Sequence, residues 1–195
     1  LAAYLYCGVT AVRSVGDVTA AAVEIRKAVN SGTYLGAELF LAEGDAGARL
    51  ESPYYDPALS AVEALAHAAE KNISLLSRSL VQQVSKPEFL EETRRRIESG
   101  RLQATEKAAV PLRSAMENLL RAYQAGIPLV TGTDAGHPLV FHGPSVHHEL
   151  ELWVKAGIPP EAGLQAATFN AARFLGAQDR IGLLKKGYQA TLLII

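Results

Sequence analysis

The stretch Ile127-Pro-Leu-Val-Thr-Gly-Thr-Asp134-Ala-Gly-His137 is a short apolar run that ends in a single aspartate between two glycines. Its apolar residues are typical of a strand that is buried on both faces of a parallel sheet. The glycines allow the backbone to turn sharply and leave room beside Asp134 for a ligand or a metal. We therefore expect Asp134 at the carboxyl end of a strand, where the sites of (β/α) folds are built. The alternative is that Asp134 caps the helix that follows.

The composition indicates a globular protein whose partners are small molecules. The 195 residues are 49% hydrophobic, which is enough for a sizeable core. The 19 basic and 20 acidic residues give a net charge of -1, so no field favours nucleic acid or an anionic membrane as a partner. The single cysteine, Cys7, cannot form an internal disulfide and is expected to be a small buried residue.

The rest of the chain is predicted to alternate between strands and helices, which indicates βαβ units and a parallel sheet. A β-rich run at 9–15 is followed by a helix that Thr19 can cap, and then by a short strand at 39–41. Further amphipathic helices are predicted over 57–69, 87–99, 112–126 and 145–157, and another begins at 160. The 112–126 helix leads directly into the Asp134 strand, so the two form one αβ unit.

Several motifs follow the Asp134 segment in a specific order. They are Thr131-Gly-Thr-Asp134-Ala-Gly136, His142-Gly143, His148-Glu-Leu-Glu-Leu152, Ala156-Gly157-Ile-Pro-Pro160-Glu-Ala and Ala166-Ala-Thr168-Phe-Asn170-Ala-Ala-Arg173. On these motifs the chain resembles the metal-dependent amidohydrolase superfamily. It looks most like the branch that holds imidazolonepropionase-like enzymes and Xaa-Pro dipeptidase-like peptidases.

The resemblance implies an α/β fold, a partial (β/α)8 TIM barrel of the metal-dependent hydrolase type. The barrel portion is expected over residues 1–178, with a junction or deletion near 44–72. The segment Gly182-Leu-Leu-Lys-Lys-Gly187-Tyr-Gln-Ala190 is similar to the turn with which the family enters its small β-sandwich. Residues 179–195 are therefore expected to be the first strand region of a truncated β-sandwich domain.

The resemblance also implies a chemistry, which is hydrolysis of a C-N bond in an amide, a cyclic amide or a peptide. The aspartate that Asp134 matches is a metal ligand in the family, and it takes and returns a proton while a metal-bound hydroxide attacks the carbonyl. A divalent metal, with zinc as the expected ion, lowers the pKa of water to near neutrality and polarises the carbonyl. The implied partner is a small-molecule or peptide substrate.

The chain departs from the family pattern in its metal ligands. It contains no His-x-His pair, and His67 is the only histidine between residues 44 and 130. Catalytic zinc normally has three protein ligands, and a closed barrel takes about 250 residues. We therefore expect an incomplete amidohydrolase that is inactive alone. The alternative is a non-catalytic half-barrel that serves as a binding or oligomerisation module, and its open strand edges predict a homo-oligomer or a poorly folded monomer.

The other histidines and acids near Asp134 are weaker candidates. His137 and His142 lie in the loop after Asp134 and are predicted to contact substrate. His147 and His148 are adjacent, so they face different directions on a helix and are expected at the surface or on the substrate side. Glu149 and Glu151 are expected to face solvent. The apolar face of that helix is predicted to comprise Val146, Leu150, Trp153 and Val154.

Overall fold

The computed structural model describes residues 1–15, 19–41, 53–100 and 111–191. Its helices are α1 Ala2–Tyr6, α2 Thr19–Asn30, α3 Leu59–Ala69, α4 Ser79–Val84, α5 Pro87–Glu98, α6 Leu112–Gln124, α7 Pro144–Lys155, α8 Pro160–Gln165 and α9 Ala171–Phe174. The strands are β1 Ala11–Ser14 and β2 Glu38–Leu41. The Thr19 side chain and residues 44–52 of the expected junction lie outside what is described.

The sequence Ala11–Ser14, α2, Glu38–Leu41 forms a strand, helix, strand unit. The two strands pair in parallel, with Ala11 opposite Glu38 and Ser14 opposite Leu41. A parallel pair needs a crossover connection, and α2 provides it. The predicted βαβ unit is therefore confirmed. No helix in the described ranges is both long and apolar enough to cross a membrane.

The segment that precedes Asp134 pairs in parallel with Tyr55. The Tyr55 N–H donates to the Pro128 carbonyl at 2.9 Å, and the Val130 N–H donates to the Tyr55 carbonyl at 3.1 Å. Pro128 has no amide hydrogen, and prolines also lie close to Tyr55 on both sides, so the ladder is limited to a single bridge. Where a full strand was predicted, the structure has an extended segment with one parallel bridge. The sheet in the described residues accordingly has two strands.

Two hydrophobic clusters form the core. One packs α3, α4 and α5 against Leu139, Val140 and Phe141, and the other packs α3 against α6, α7 and α8 around the fully buried Trp153. Because α3 belongs to both clusters, it is the central helix of this part of the molecule. Residues 179–191 form turns, and the end of the predicted β-sandwich strand at 192–195 lies outside the described residues.

The buried face of α7 differs from the predicted one. Trp153 is buried as expected, but Val154 is exposed, and Val146 and Leu150 are only half-buried. His148 and Glu149 are buried instead. The helix begins at Pro144 with Gly143 as its N-cap, and the Ser145 hydroxyl accepts the Phe141 N–H at 2.8 Å. The predicted face is wrong because tertiary partners satisfy the polar side chains of this helix, as described below.

Helix α1 docks on the start of α7 through close backbone contact. The His147 ring Nε2 lies 2.7 Å from the Cys7 carbonyl oxygen, and the Tyr4 hydroxyl lies 3.0 Å from His142 Nδ1. Gly143 makes this approach possible, because a Cβ there would lie 2.6 Å from the Ala3 carbonyl oxygen and 2.8 Å from Cys7 Sγ. Cys7 is buried under the contact, as predicted.

We expect Gly143→Ala to displace α1 and expose Cys7. The new methyl group overlaps α1 atoms that belong to backbone and to a buried sulfur, so the helix has to move. The Cys7 thiol should then react with a thiol reagent about 10-fold faster or more under native conditions, because local opening controls its access.

Gly157→Ala is the matched control for this prediction. Gly157 has a φ of +95°, close to the +98° of Gly143, so both variants place a side chain at a positive φ. The nearest atoms to a Cβ at Gly157 are Leu120 methyls at 3.6 and 3.7 Å, an ordinary contact distance. Equal thiol reactivity in the two variants would contradict the proposed role of Gly143 in docking α1.

Candidate active site

Asp134 lies at the end of the extended segment that pairs with Tyr55. The preceding Thr133 is buried, while the Asp134 side chain is 44% exposed. The Asp134 backbone has a φ of +55°, in the left-handed region that costs a residue with a side chain about 1–2 kcal/mol. Such strain is concentrated at functional sites. The capping alternative is wrong, since the next helix begins only at Pro144, with Gly143 as its N-cap.

His137 is the predicted substrate-side residue that the structure brings to Asp134. Its Nε2 lies 3.2 Å from Asp134 Oδ2, and the ring is 55% exposed. His137 also begins a tight turn, in which the Val140 N–H donates to the His137 carbonyl at 3.0 Å. A contact this exposed contributes little to stability, and the carboxylate stays accessible to a ligand. His142 lies instead against Tyr4 of α1, with ring centroids 5.4 Å apart.

Asp56 is a third residue at this edge, and it was not among the residues predicted from the sequence. Its Oδ1 accepts the Gly132 N–H at 3.0 Å and the Ala58 N–H at 3.1 Å. The residue keeps exposed surface, yet its carboxyl group is crowded by protein atoms. Desolvation raises the pKa of Asp56 most, and the nearby Glu149 and Asp134 carboxylates raise it further. The two N–H hydrogen bonds lower this pKa, and the net result is a pKa of about 6. The signal in the sequence was an aspartate before proline after two tyrosines, just ahead of a helix.

Glu149 is buried, which corrects the expectation that it faces solvent. Its Oε1 accepts the Leu59 N–H at 2.8 Å and the Trp153 indole N–H at 2.9 Å, and its Oε2 accepts the Ser60 N–H at 2.6 Å. The carboxylate therefore caps the N-terminus of α3 from a different helix, α7. Burial raises the pKa of Glu149, and these hydrogen bonds act in the opposite direction.

His148 is also buried, and it belongs to a charged network rather than to the surface. Its Nδ1 lies 2.8 Å from an Arg78 guanidinium nitrogen and 3.3 Å from Glu151 Oε2, and its Nε2 makes a close hydrogen bond with Glu63. Arg78 also donates two hydrogen bonds to Glu151, at 2.8 and 2.9 Å. Burial alone would raise the pKa of Glu63, but its contacts, the hydrogen bond with His148 first among them, hold that pKa below its usual value. These interactions occupy both ring nitrogens of His148.

The described residues do not fit a catalytic metal. Within the ranges that the structure covers, no group of three His, Cys, Asp or Glu side chains is arranged to hold an ion. Asp134 and His137 supply at most two metal ligands, whereas catalytic zinc takes three protein ligands.

A groove of about 340 Å³ lies between α4 and α7. Its lining includes Arg78, His147 and Glu151 but does not include Asp134.

Comparison with known proteins agrees with the motifs. A family model described as the amidohydrolase family matches residues 37–195. The fold is also similar to a solved structure described as a Xaa-Pro dipeptidase with bound methionine in the active site, with a TM-score of 0.56 and 19% sequence identity. That match covers 97% of this chain and 70% of the other, and together the two findings assign a TIM-barrel-type α/β fold. The resemblance read from the motifs is confirmed: this chain belongs to the amidohydrolase family.

Proposed function

We propose that this chain is the portion of a metal-dependent amidohydrolase that carries its proton-transfer aspartate, Asp134. The reaction is hydrolysis of a C-N bond in an amide, a cyclic amide or a peptide, and the substrate is a small molecule or a peptide. Family membership supports the general chemistry, and the likeness to a Xaa-Pro dipeptidase makes dipeptides the first substrates to test. The domain division we propose is a partial (β/α)8 barrel over 1–178 and the start of a β-sandwich over 179–195.

The observation that carries this proposal is the placement of the Asp134 carboxylate. It is solvent-accessible, it follows a parallel-paired segment, and its backbone holds a left-handed conformation that the fold has to stabilise. A carboxylate in this position can accept a proton at Oδ2 from an attacking water and return it to the leaving nitrogen. His137, 3.2 Å from Oδ2, is suited to orient the substrate beside it, and we assign His142 to the same substrate loop.

Members of the family generally use divalent metals, and we propose Asp134 as a ligand that this chain contributes. The described residues alone do not form such a site, so the other ligands have to come from outside them. The printed sequence has no His-x-His pair that could supply the usual first ligands. We propose zinc as the ion on the chemistry of its preferred N and O ligands.

Asp134→Asn in the full-length parent protein tests the catalytic role. We expect kcat for dipeptide hydrolysis to fall by about 10²- to 10⁴-fold, the usual contribution of a positioned acid–base group. The fold should be retained, because asparagine has nearly the same shape and tolerates a left-handed φ. Circular dichroism checks the fold, and Asp179→Asn, outside the proposed site, is the control. Wild-type kcat in the Asp134→Asn variant would refute the assignment.

A non-catalytic binding or oligomerisation module is the second candidate. It is favoured by the structural contacts of His147 and His148, which dock α1 and complete a charged network. Large apolar side chains such as Leu35 and Leu184 are 80% and 86% exposed, and the described two-stranded sheet has open edges.

For this second candidate, we expect the 195-residue chain to self-associate or to fold poorly, because exposed apolar surface and unpaired strand edges favour association. Sedimentation velocity over a range of concentrations measures this directly. A stable, monodisperse monomer would contradict the prediction. Dipeptide hydrolysis by the 195-residue chain alone, abolished by Asp134→Asn, would eliminate the non-catalytic candidate.

A further inference from the structure

Asp56 and Asp134 lie at the same end of two neighbouring parallel segments. Tyr55 and Leu129 form the bridge between these segments, and the chain beyond each of them leads to one of the two aspartates. The Asp56 carboxylate crosses to the other segment and accepts the Gly132 N–H at 3.0 Å, over a sequence separation of 76 residues. Gly132 is two residues before Asp134. The bond therefore attaches the loop that carries Asp134 to a residue at the start of α3.

Gly132 is shaped to receive the Asp56 carboxylate. A Cβ on Gly132 would lie 1.9 Å from Asp56 Oδ2, a distance at which two heavy atoms cannot coexist without bonding. The glycine is needed here for close approach and not for an unusual backbone conformation, since its φ is not positive. The lack of room for a side chain at Gly132 and the hydrogen bond from its N–H both indicate a close contact between Gly132 and the Asp56 carboxylate.

Asp56 is itself held on a rigid support. The same Oδ1 accepts the Ala58 N–H at 3.1 Å, and the next two amides of the chain, at Leu59 and Ser60, donate to the buried Glu149. The Asp56 and Glu149 carboxylates together accept the free N–H groups at the start of α3, which is one of the main helices of the core. The connection runs from the core through Asp56 to Gly132.

Asp134 needs such an anchor. Its left-handed backbone is uncommon for a residue with a side chain, and its contact with His137 is exposed and contributes little. We propose that Asp56 is a positioning residue for Asp134, which it holds at the edge of the paired segments through the Gly132 N–H. This inference rests on the proposed function of Asp134. Burial and the Glu149 carboxylate raise the pKa of Asp56 most, and the nearby Asp134 carboxylate adds a smaller effect in the same direction.

The first part of the test needs no activity. In Asp56→Ala, the Gly132 amide loses its acceptor, and we expect its hydrogen exchange, followed by NMR, to become about 10-fold faster or more. Asp56→Asn keeps an oxygen at the Oδ1 position and should leave the exchange rate close to that of the wild type. Asp179→Ala is the control for loss of a carboxylate elsewhere. Unchanged Gly132 exchange in Asp56→Ala overturns the proposal.

The second part uses dipeptide hydrolysis by the full-length parent protein. Misplacing a reacting group by about 1 Å costs up to about 100-fold, so we expect Asp56→Ala to lower kcat by about 10- to 100-fold with KM nearly unchanged. Asp56→Asn should recover most of this loss. Wild-type kcat in Asp56→Ala overturns the positioning role even where Asp134→Asn is inactive. Wild-type kcat in Asp134→Asn, by contrast, removes the proposed function itself.

Asp56→Ala also frees the Ala58 amide, so Gly132→Ala is the second probe. It retains the Asp56 carboxylate as a possible acceptor for the Ala58 N–H but forces that carboxylate away from the Asp134 loop, and it should lower kcat in the same way. Because both changes break one contact, the double variant should be no slower than the slower single variant. Losses that multiply, as for independent sites, overturn the proposal.

Discussion

Glu149→Ala is expected to lower the free energy of unfolding by about 3–5 kcal/mol, because each buried N–H group left without an acceptor costs about 1–3 kcal/mol. The change deprives three N–H groups of their acceptor: the amides of Leu59 and Ser60 and the indole of Trp153. All three lie in a buried region, where water cannot replace the lost acceptor without opening the contact between α3 and α7. The loss is a large part of the 5–15 kcal/mol by which domains are typically stable.

Urea denaturation followed by circular dichroism measures this loss. Glu149→Gln is the informative comparison, because it keeps one acceptor oxygen and places an NH2 group against an N–H donor, so about 1–3 kcal/mol should be lost. Glu117→Ala removes an exposed glutamate whose pairing with Arg113 contributes at most a few tenths of a kcal/mol. A loss below about 1 kcal/mol in Glu149→Ala would show that the carboxylate does not support α3.

Trp153→Ala is expected to destabilise the protein by a similar amount, about 3–5 kcal/mol. The Trp153 side chain is 0% exposed and lies at the centre of the cluster formed by α3, α6, α7 and α8. Its removal leaves a cavity that the surrounding helices can fill only in part, and it also removes one donor to Glu149. Thermal and urea unfolding should agree on the loss.

Two comparisons separate the packing of Trp153 from its hydrogen bond. Trp153→Phe keeps most of the apolar volume but removes the indole donor, so it should lose less than Trp153→Ala. Leu184→Ala removes a side chain that is 86% exposed and should change stability by about 0.5 kcal/mol at most. Combining Trp153→Phe with Glu149→Ala should give less than the sum of the two losses, since both remove one shared bond. Strict additivity would argue against a bond between them.

Much of the local structure could be predicted from the sequence. The strand, helix, strand order at the N-terminus, the helix Pro87–Glu98 and the helix that ends before Gly126 all follow from periodicity and from proline and glycine positions. The two glycines around Asp134 predicted a sharp, open turn, and the structure has one there, with Asp134 left exposed. The ordered motifs predicted the family. These features depend on neighbouring residues or on the spacing between motifs, and both can be read from a single sequence.

The burial of polar groups could not be predicted in this way. Periodicity assigns apolar residues to the core face of a helix, so Glu149 was expected in solvent, whereas its amide partners lie 89 and 90 residues away in the chain. The Asp56 contact with Gly132 spans 76 residues and depends on the parallel pairing of two short segments. A carboxylate is stable inside a protein only where donors converge on it, and that convergence is created by packing. The amino-acid order was sufficient for the helices, the turn at Asp134 and the family, while the anchors that hold this turn arise only when distant segments come together.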